Sequence, residues 1–319
     1  MNAQLPLLVR VAARCEEAEG VASFALAALD GAALPPFSAG AHIDVEVRPG
    51  LVRQYSLCND PLGQHRYLIA VLHTPDSRGG SRGMHEGVQA GAILRIGTPK
   101  NHFELGTASR YLLLAGGIGV TPILCMAERL AATGADFAMH YCSRSPERTA
   151  FLERIRGTCL AQRVAFHFDS EGARCDIAAV LAAEGPGTHV YVCGPAGFID
   201  AVTSKAQALG WDRSRVHLEY FAAAPQAPLA NGAFEVRIAS SGRAFPIPAD
   251  QSVLSVLQAH GIEVAASCEQ GVCGTCLTRV LDGVPDHRDS YLTDEERAAN
   301  DQFTPCCSRA KSGTLVLDL

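Results

Sequence analysis

The amino-acid sequence predicts a multidomain protein that combines an antiparallel β-barrel, an α/β domain with a parallel sheet, and a small α+β domain, in that order. Its 319 residues exceed what one hydrophobic core usually organises. Apolar and polar positions alternate before residue 105, whereas continuous apolar runs alternate with helical patterns after it. The uncharged segment AAAPQAPLANG then has the composition of a linker. We therefore expect domains at residues 1–105, 106–226 and 232–319, with the linker at residues 222–232.

The elements of each domain follow from the spacing of apolar residues. Short alternating runs separated by Gly and Pro, such as residues 42–47 and 67–72, predict the antiparallel sheet or barrel. In the middle domain, an apolar strand, a glycine turn and a helix at residues 122–132 begin an alternation typical of parallel sheets. Its strands are predicted at residues 111–115, 137–141, 164–168 and 189–192. The last domain is expected to have a hairpin and a helix, at residues 234–238, 244–247 and 253–260.

Composition and charge exclude several classes of function. Hydrophobic residues make up 48% and charged residues 19%, as in globular proteins and unlike disordered or fibrous ones. No segment is apolar for long enough to span a bilayer, and residues 5–11 lack the features of a signal peptide, so we expect a cytoplasmic protein. Residues 232–319 contain 7 Lys+Arg against 12 Asp+Glu, a net −5 of the total −6. This acidity argues against nucleic acid as a partner; it could steer the domain toward a basic protein surface or simply be solvated.

A cysteine motif in the last domain predicts an iron–sulfur cluster. Cys268, Cys273 and Cys276 follow the spacing C-x4-C-x2-C, and a fourth ligand is available 29 intervening residues later at Cys306 or its neighbour Cys307. This is the spacing of plant-type [2Fe–2S] proteins. Zinc is the alternative, but zinc sites usually pair two such hairpins. The other seven cysteines are expected to be buried apolar residues, and none of the eleven histidines shows a ligand spacing or is given a catalytic role.

A glycine turn in the middle domain predicts a phosphate site. Gly116, Gly117 and Gly119 follow an apolar strand and open a helix, whose N-terminal dipole and N–H groups favour anions. Thr121 is predicted to be the N-cap and Pro122 the first helical residue. Because Pro122 replaces the third glycine of the usual dinucleotide fingerprint, the motif differs from it.

A second turn, Cys193-Gly194-Pro195, also follows a strand of the predicted parallel sheet, where such sheets bind ligands. The two turns resemble those of the ferredoxin reductase superfamily. That resemblance implies that the first turn binds the pyrophosphate of NADH, that the second lies beside the nicotinamide, and that Ser143 and Arg144 meet the adenosine ribose. Arg144 could instead bind the 2′-phosphate of NADPH or be a surface charge.

A flavin is expected between the nucleotide and the cluster. NADH gives up two electrons together as hydride, whereas the cluster accepts one, and a flavin can do both. In the barrel, an Arg-x-Tyr-Ser strand precedes a Gly-Gly-Ser turn. A guanidinium, backbone N–H groups and a hydroxyl suit a phosphate, and the tyrosine can lie along a ring. The candidate residues are Arg53, Tyr55, Ser56, Gly79, Gly80 and Ser81.

The order of these motifs along the chain resembles the phthalate dioxygenase reductase family. The resemblance implies an FMN barrel, an NADH domain and a C-terminal ferredoxin domain of the β-grasp fold, and it favours Cys306 over Cys307 as the fourth ligand. It places Thr121 against both FMN and NADH, and Phe221, with Cys193, beside the nicotinamide. FAD stays open. The further FMN contacts that the resemblance implies are Phe221, Ala70, Val71 and Leu72.

The resulting prediction is an NADH-dependent reductase component of a two-component Rieske-type oxygenase acting on an aromatic substrate. Electrons would pass from NADH to FMN, to the [2Fe–2S] cluster and then to the terminal oxygenase, with no catalytic acid or base, because placement of the rings suffices. We expect a monomer in isolation, without membrane or nucleic-acid partners. The alternatives are a reductase for a cytochrome P450 or another acceptor, and a redox-sensing regulator, for which no output segment is evident.

Overall fold

The computed structural model describes residues 5–63, 65–75, 79–221, 232–266 and 268–319. These residues belong to two compact units, one formed by residues 5–221 and the other by the C-terminal residues from 232 onward. The predicted linker at residues 222–232 lies outside the described residues except for Gly232. In the described part of the chain, no helix is both long enough and apolar enough to cross a membrane.

The first unit begins with a six-stranded antiparallel sheet in the order β4-β3-β6-β1-β2-β5. A bridge between Leu57, which follows β4, and Ile69 in β5 joins the two edges, so the sheet closes into the predicted barrel. Val9 and Val11 point into its core while their neighbours are exposed, as a period of two requires. The elements are β1 (Leu7–Ala18), β2 (Val21–Ala28), β3 (His42–Arg48), β4 (Leu51–Ser56), β5 (Tyr67–Leu72), α1 (Gly80–Gly87) and β6 (Ile93–Ile96).

A five-stranded parallel sheet in the order β11-β10-β7-β8-β9 completes this unit. Helices cover both faces, which explains why its strands are continuous apolar runs. The strand order reverses between β7 and β10, the position where open α/β sheets bind ligands. The elements are β7 (Arg110–Gly116), α2 (Val120–Thr133), β8 (Phe137–Ser143), α3 (Leu152–Arg156), β9 (Val164–Phe168), α4 (Ile177–Ala182), β10 (Thr188–Cys193), α5 (Ala196–Ala208) and β11 (Val216–Glu219).

The barrel and the parallel sheet share one hydrophobic core. Ala70 and Phe103 of the N-terminal part are buried in the same cluster as Leu113 of β7 and Ile123 of α2. Burial of this apolar surface fixes the barrel and the sheet against each other.

The C-terminal unit has a mixed sheet in the order β13-β12-β18-β14-β16 and a small β15-β17 ladder. Strands β12 and β18 pair in parallel, and the other pairs are antiparallel. Helix α6 packs its apolar side against the sheet, as the predicted β-grasp fold requires. The elements are β12 (Phe234–Ile238), β13 (Ala244–Ile247), α6 (Val253–Ala259), β14 (Thr278–Asp282), β15 (Pro285–Asp286), α7 (Asp294–Ala299), β16 (Gln302–Phe303), β17 (Arg309–Ala310) and β18 (Thr314–Leu317).

Candidate functional site

The glycine turn after β7 leads directly into helix α2. Residues 117–119 form a 3-10 turn, Gly119 is the N-cap, and the helix begins at Val120. The prediction that Thr121 is the N-cap is therefore wrong: its hydroxyl donates to the Ile118 carbonyl at 3.1 Å, inside the first turn. Pro122 is the third helical residue, where its missing N–H would have no partner within the helix.

The two turns predicted to bind the nucleotide fit tightly against each other. A Cβ on Gly119 would lie 2.2 Å from the Cys193 carbonyl oxygen, and one on Gly194 would lie 3.0 Å from the Gly116 Cα. Gly117 has a φ of +53° with no atom near its Cβ position, so its conformation, not space, favours glycine. Pro195 follows at the N-cap of α5. Gly119 and Gly194 are thus needed for contact between the two turns, in addition to any approach of phosphate.

The residues predicted for the adenosine ribose lie at the end of β8. Ser143 Oγ is 2.6 Å from Thr149 Oγ1 in a hydrogen bond. Arg144 is exposed, and its carbonyl accepts the N–H of Ser170 at 2.9 Å. Their position at the carboxyl end of a parallel strand is compatible with nucleotide binding.

The Arg53 side chain and the Gly-Gly-Ser turn come together in the barrel. A Cβ on Gly80 would lie 2.8 Å from Arg53 Cγ, so the side chain runs directly over this backbone. Gly79, with a φ of +88°, is the N-cap of α1, and no side chain in the described ranges caps this helix. Ser81 Oγ accepts the Thr74 N–H at 3.1 Å. A cation and the N–H groups of a helix start are therefore adjacent.

The other predicted flavin residues lie on β4 and β5. Burial raises the pKa of Tyr55. Ala70 and Val71 are buried in β5, and the Val71 carbonyl is 2.8 Å from His85 Nε2. Leu72, at the end of the strand, is 39% exposed and available to a ligand.

A carboxyl group that the sequence analysis missed connects the barrel with the parallel sheet. The Ser56 hydroxyl lies near the Glu219 carboxyl, and burial raises the pKa of this carboxyl to about 8. Although the residue as a whole is partly exposed, Glu219 Oε2 is buried and has no hydrogen-bond partner among the described residues. Glu219 pairs in register with Cys193, whose pKa is raised by burial. Phe221, 38% exposed, follows two residues later.

A signal for Glu219 was present in the sequence. It ends the strand run VHLE next to an aromatic pair, at the carboxyl edge where the sheet already carried two predicted turns. A titratable residue at that edge is a functional candidate in an α/β fold.

The cysteine loop has the geometry expected for sulfur ligands. Cys268 Sγ accepts the Gln270 N–H at 3.3 Å, and Cys273 Sγ accepts the Thr275 N–H at 3.5 Å. Gly274 has a φ of +66°, and its Cβ would lie 2.2 Å from the Tyr291 ring. The loop therefore wraps closely and directs N–H groups at the sulfurs, which stabilises thiolates.

The two adjacent cysteines have different neighbours. The Cys306 thiol lies near that of Cys276 as well as that of Cys307, and the Cys268 thiol lies near that of Cys273. Cys307 Sγ is 3.3 Å from Thr304 Oγ1. The four residues expected as ligands thus meet in two sulfur pairs, a donor set that fits a four-thiolate cluster.

Comparison with known proteins agrees with this arrangement. Residues 236–311 match the family model of the 2Fe-2S iron-sulfur cluster binding domain, which supports iron–sulfur over zinc, and residues 102–216 match that of the dimethylamine monooxygenase subunit DmmA-like N-terminal domain. The chain is similar to a vanillate O-demethylase oxidoreductase of Pseudomonas putida, with 57% identity over 312 residues, 97% of this chain and 98% of that one.

Two solved structures are similar over almost the whole chain. Phthalate dioxygenase reductase, described as a modular structure for electron transfer from pyridine nucleotides to [2Fe–2S], superposes with a TM-score of 0.79 at 39% identity and covers 98% of both chains. An intact type IV self-sufficient cytochrome P450 monooxygenase has a TM-score of 0.83 at 39% identity; the match covers 98% of this chain and 41% of that longer one.

Proposed function

The chain belongs to the phthalate dioxygenase reductase family, and from that premise we propose which residues bind its cofactors and which acceptor it serves. As a member, it is an NADH-dependent oxidoreductase with a flavin and a [2Fe–2S] cluster, the reductase component of a Rieske-type oxygenase. The bound flavin and cluster supply the conversion of a two-electron donor into single electrons. The remaining chemistry belongs to the residues that position them.

The flavin is FMN, with its phosphate between Arg53 and the start of helix α1. The contact of the Arg53 side chain with the Gly80 backbone supports this placement, because it puts a guanidinium beside N–H groups that no described side chain caps. A terminal phosphate is a dianion that fills such a site, whereas the phosphates of FAD continue into an adenosine. Tyr55 and the β5 residues then border the ring.

The nicotinamide is placed against the flavin by the junction of the barrel and the sheet, and the buried Glu219 carboxyl oxygen at that junction, unpartnered in the described part of the chain, is the observation that carries this proposal. Glu219 lies in register with Cys193, beside the turn that we assign to the nicotinamide. With a pKa of about 8, Glu219 keeps its proton at neutral pH, so no carboxylate charge lies along the hydride path. Phe221 is the candidate for the aromatic side chain that borders the flavin and nicotinamide rings at this edge.

The cluster ligands are Cys268, Cys273, Cys276 and Cys306. The N–H groups of Gln270 and Thr275, which point at two of these sulfurs, stabilise negative charge there. Such donors tune the reduction potential of a cluster.

The experiment that tests this proposal is an anaerobic titration of the purified protein with NADH, followed by mass analysis of the released flavin. We expect flavin and iron–sulfur absorbance to bleach together and the flavin to have the mass of FMN. The mass of FAD would contradict the phosphate assignment, and bleaching of the flavin alone would contradict electron transfer to the cluster.

The acceptor is the oxygenase component of a vanillate demethylase, because the relative with 57% identity is named for that reaction. The similarity to a self-sufficient cytochrome P450 makes a P450 the second candidate. Reconstitution with each purified acceptor separates them: we expect product formation with the vanillate oxygenase, and coupling only to a P450 would refute the first choice. The reductase is proposed to be a cytoplasmic monomer, which light scattering on the purified chain and fractionation of cells would test.

A further inference from the structure

Two histidines and two cysteines that the electron path does not use lie together at the β9 edge of the parallel sheet. His140 and Cys142 are two residues apart on β8 and therefore share one face of it. His167 on β9 pairs in register with Cys142, which puts both side chains on that face. Cys175 follows β9 in the loop before helix α4. The sequence expectation that the remaining cysteines are buried apolar residues is therefore wrong here, because Cys142 and Cys175 are both partly exposed.

The distances between the donor atoms suit a metal ion. One ligand atom each from His140, His167 and Cys175 can be chosen so that all lie within 4.8 Å of one another. The ring nitrogens His140 Nδ1 and His167 Nε2 face each other at 2.9 Å. Two nitrogens bound to one tetrahedral zinc at about 2.0–2.1 Å lie about 3.3 Å apart, so a shift of about 0.4 Å would replace the hydrogen bond by two bonds to zinc.

Cys142 is available for the fourth position. Its side chain lies on the strand face that carries His140 and His167, and Cys175 is its neighbour there. Two thiolates and two neutral imidazoles form a Cys2His2 donor set, which zinc favours in tetrahedral sites.

We propose that His140, His167, Cys175 and Cys142 form a zinc site at the edge of the parallel sheet, separate from the [2Fe–2S] ligands. Binding would release the two thiol protons to solvent and leave a neutral site, because two thiolates balance the ion charge. The ion would link β8, β9 and the loop before α4. All four residues are partly exposed, which gives the ion a route from solvent.

The same sheet contains a natural control. His189 and His217 on β10 and β11 have almost the same geometry, with nitrogens 2.9 Å apart and stacked rings with centroids 5.2 Å apart. Among the described residues, however, this pair belongs to no group that could hold a metal ion. Stacked histidines alone therefore do not define the site; the cysteines distinguish it.

The test is equilibrium dialysis of the flavin- and cluster-loaded protein against buffered Zn²⁺, with zinc and iron counted per chain. We expect about one zinc per chain, with iron unchanged, and at least a 100-fold loss of affinity in Cys175→Ser and in His167→Gln. Cys159→Ser, at an exposed cysteine of the same unit, and His217→Gln should bind zinc as the wild type does.

X-ray absorption at the zinc edge identifies the ligands without interference from flavin colour. We expect two sulfur and two nitrogen scatterers at about 2.3 Å and 2.0–2.1 Å. A single sulfur would contradict the assignment of Cys142. Three results would each overturn the site. The first is equal zinc binding by the wild type and Cys175→Ser, and the second is zinc gained only as iron is lost. The third is a Cys142–Cys175 disulfide in protein that binds no zinc.

Discussion

Replacing Glu219 with glutamine should make the residue 5–221 unit more stable at neutral pH. The folded pKa is raised from 4.5 to about 8, mainly by burial. Between these values the folded state keeps a proton that the unfolded chain has released, so stability is highest at low pH and falls as pH rises. The slope is about 1.4 kcal/mol per pH unit. At pH 7 the loss is about 3 kcal/mol, which the neutral glutamine avoids because it has no proton to release.

Urea unfolding followed by fluorescence measures this effect directly, because Trp211 is the only tryptophan and belongs to this unit. Measurements at pH 5 and pH 7.5, with flavin concentration fixed, should show a difference between wild type and Glu219→Gln that grows with pH. Glu153→Gln removes an exposed carboxylate, 86% accessible and paired with Arg156, and should leave the pH slope unchanged. If Glu219→Gln and wild type have parallel stability curves across this range, the raised pKa is refuted.

Three further substitutions test other parts of the site. Gly119→Ala should unfold the turn or lose NADH binding, because its Cβ would lie 2.2 Å from a backbone carbonyl oxygen, whereas Gly117→Ala should cost only about 1–2 kcal/mol of stability for its left-handed φ. Thermal melts and NADH titrations of the two variants compare these effects, and equal effects would contradict the tight contact between the two turns. Cys306→Ser should abolish the [2Fe–2S] spectrum and Cys307→Ser should keep it; the reverse would move the ligand to Cys307. Arg53→Gln should weaken flavin binding roughly 10- to 100-fold, the value of a charged hydrogen bond, as measured by flavin fluorescence during dialysis. Unchanged affinity would remove Arg53 from the proposed phosphate site.

Local patterns predicted much of the fold because most of its elements are specified locally. The strand Phe234–Ile238 is predicted residue for residue, since its apolar positions alternate between bounding turns. The start of α2 is predicted two residues late, because a 3-10 turn continues into the helix and removes the need for a side-chain cap at Thr121. Capping patterns describe helices that start from extended backbone, and this one does not.

The functional sites, like the fold, were predictable from the sequence only where their residues lie close together along the chain. Motifs with close spacing, such as the loop from Cys268 to Cys276, are visible in the sequence. Glu219 is different, because its raised pKa comes from burial, and the packed core that buries it also brings Ser56, 163 residues earlier in the chain, to its side. Cys142 and Cys175 likewise meet only after β9 has paired with β8. Long-range packing therefore decides which polar groups become functional neighbours.

The division of the chain into two units follows from the difference between hydride and electron transfer. Hydride transfer requires the two rings in contact, so the flavin and nucleotide sites must be held rigidly together. The shared core of the barrel and the sheet provides that rigidity. An electron can tunnel between centres that do not touch, so the cluster does not need to share this core. The cluster can accordingly be carried on a unit with its own core and with five of the six net negative charges, suited to meeting a partner protein.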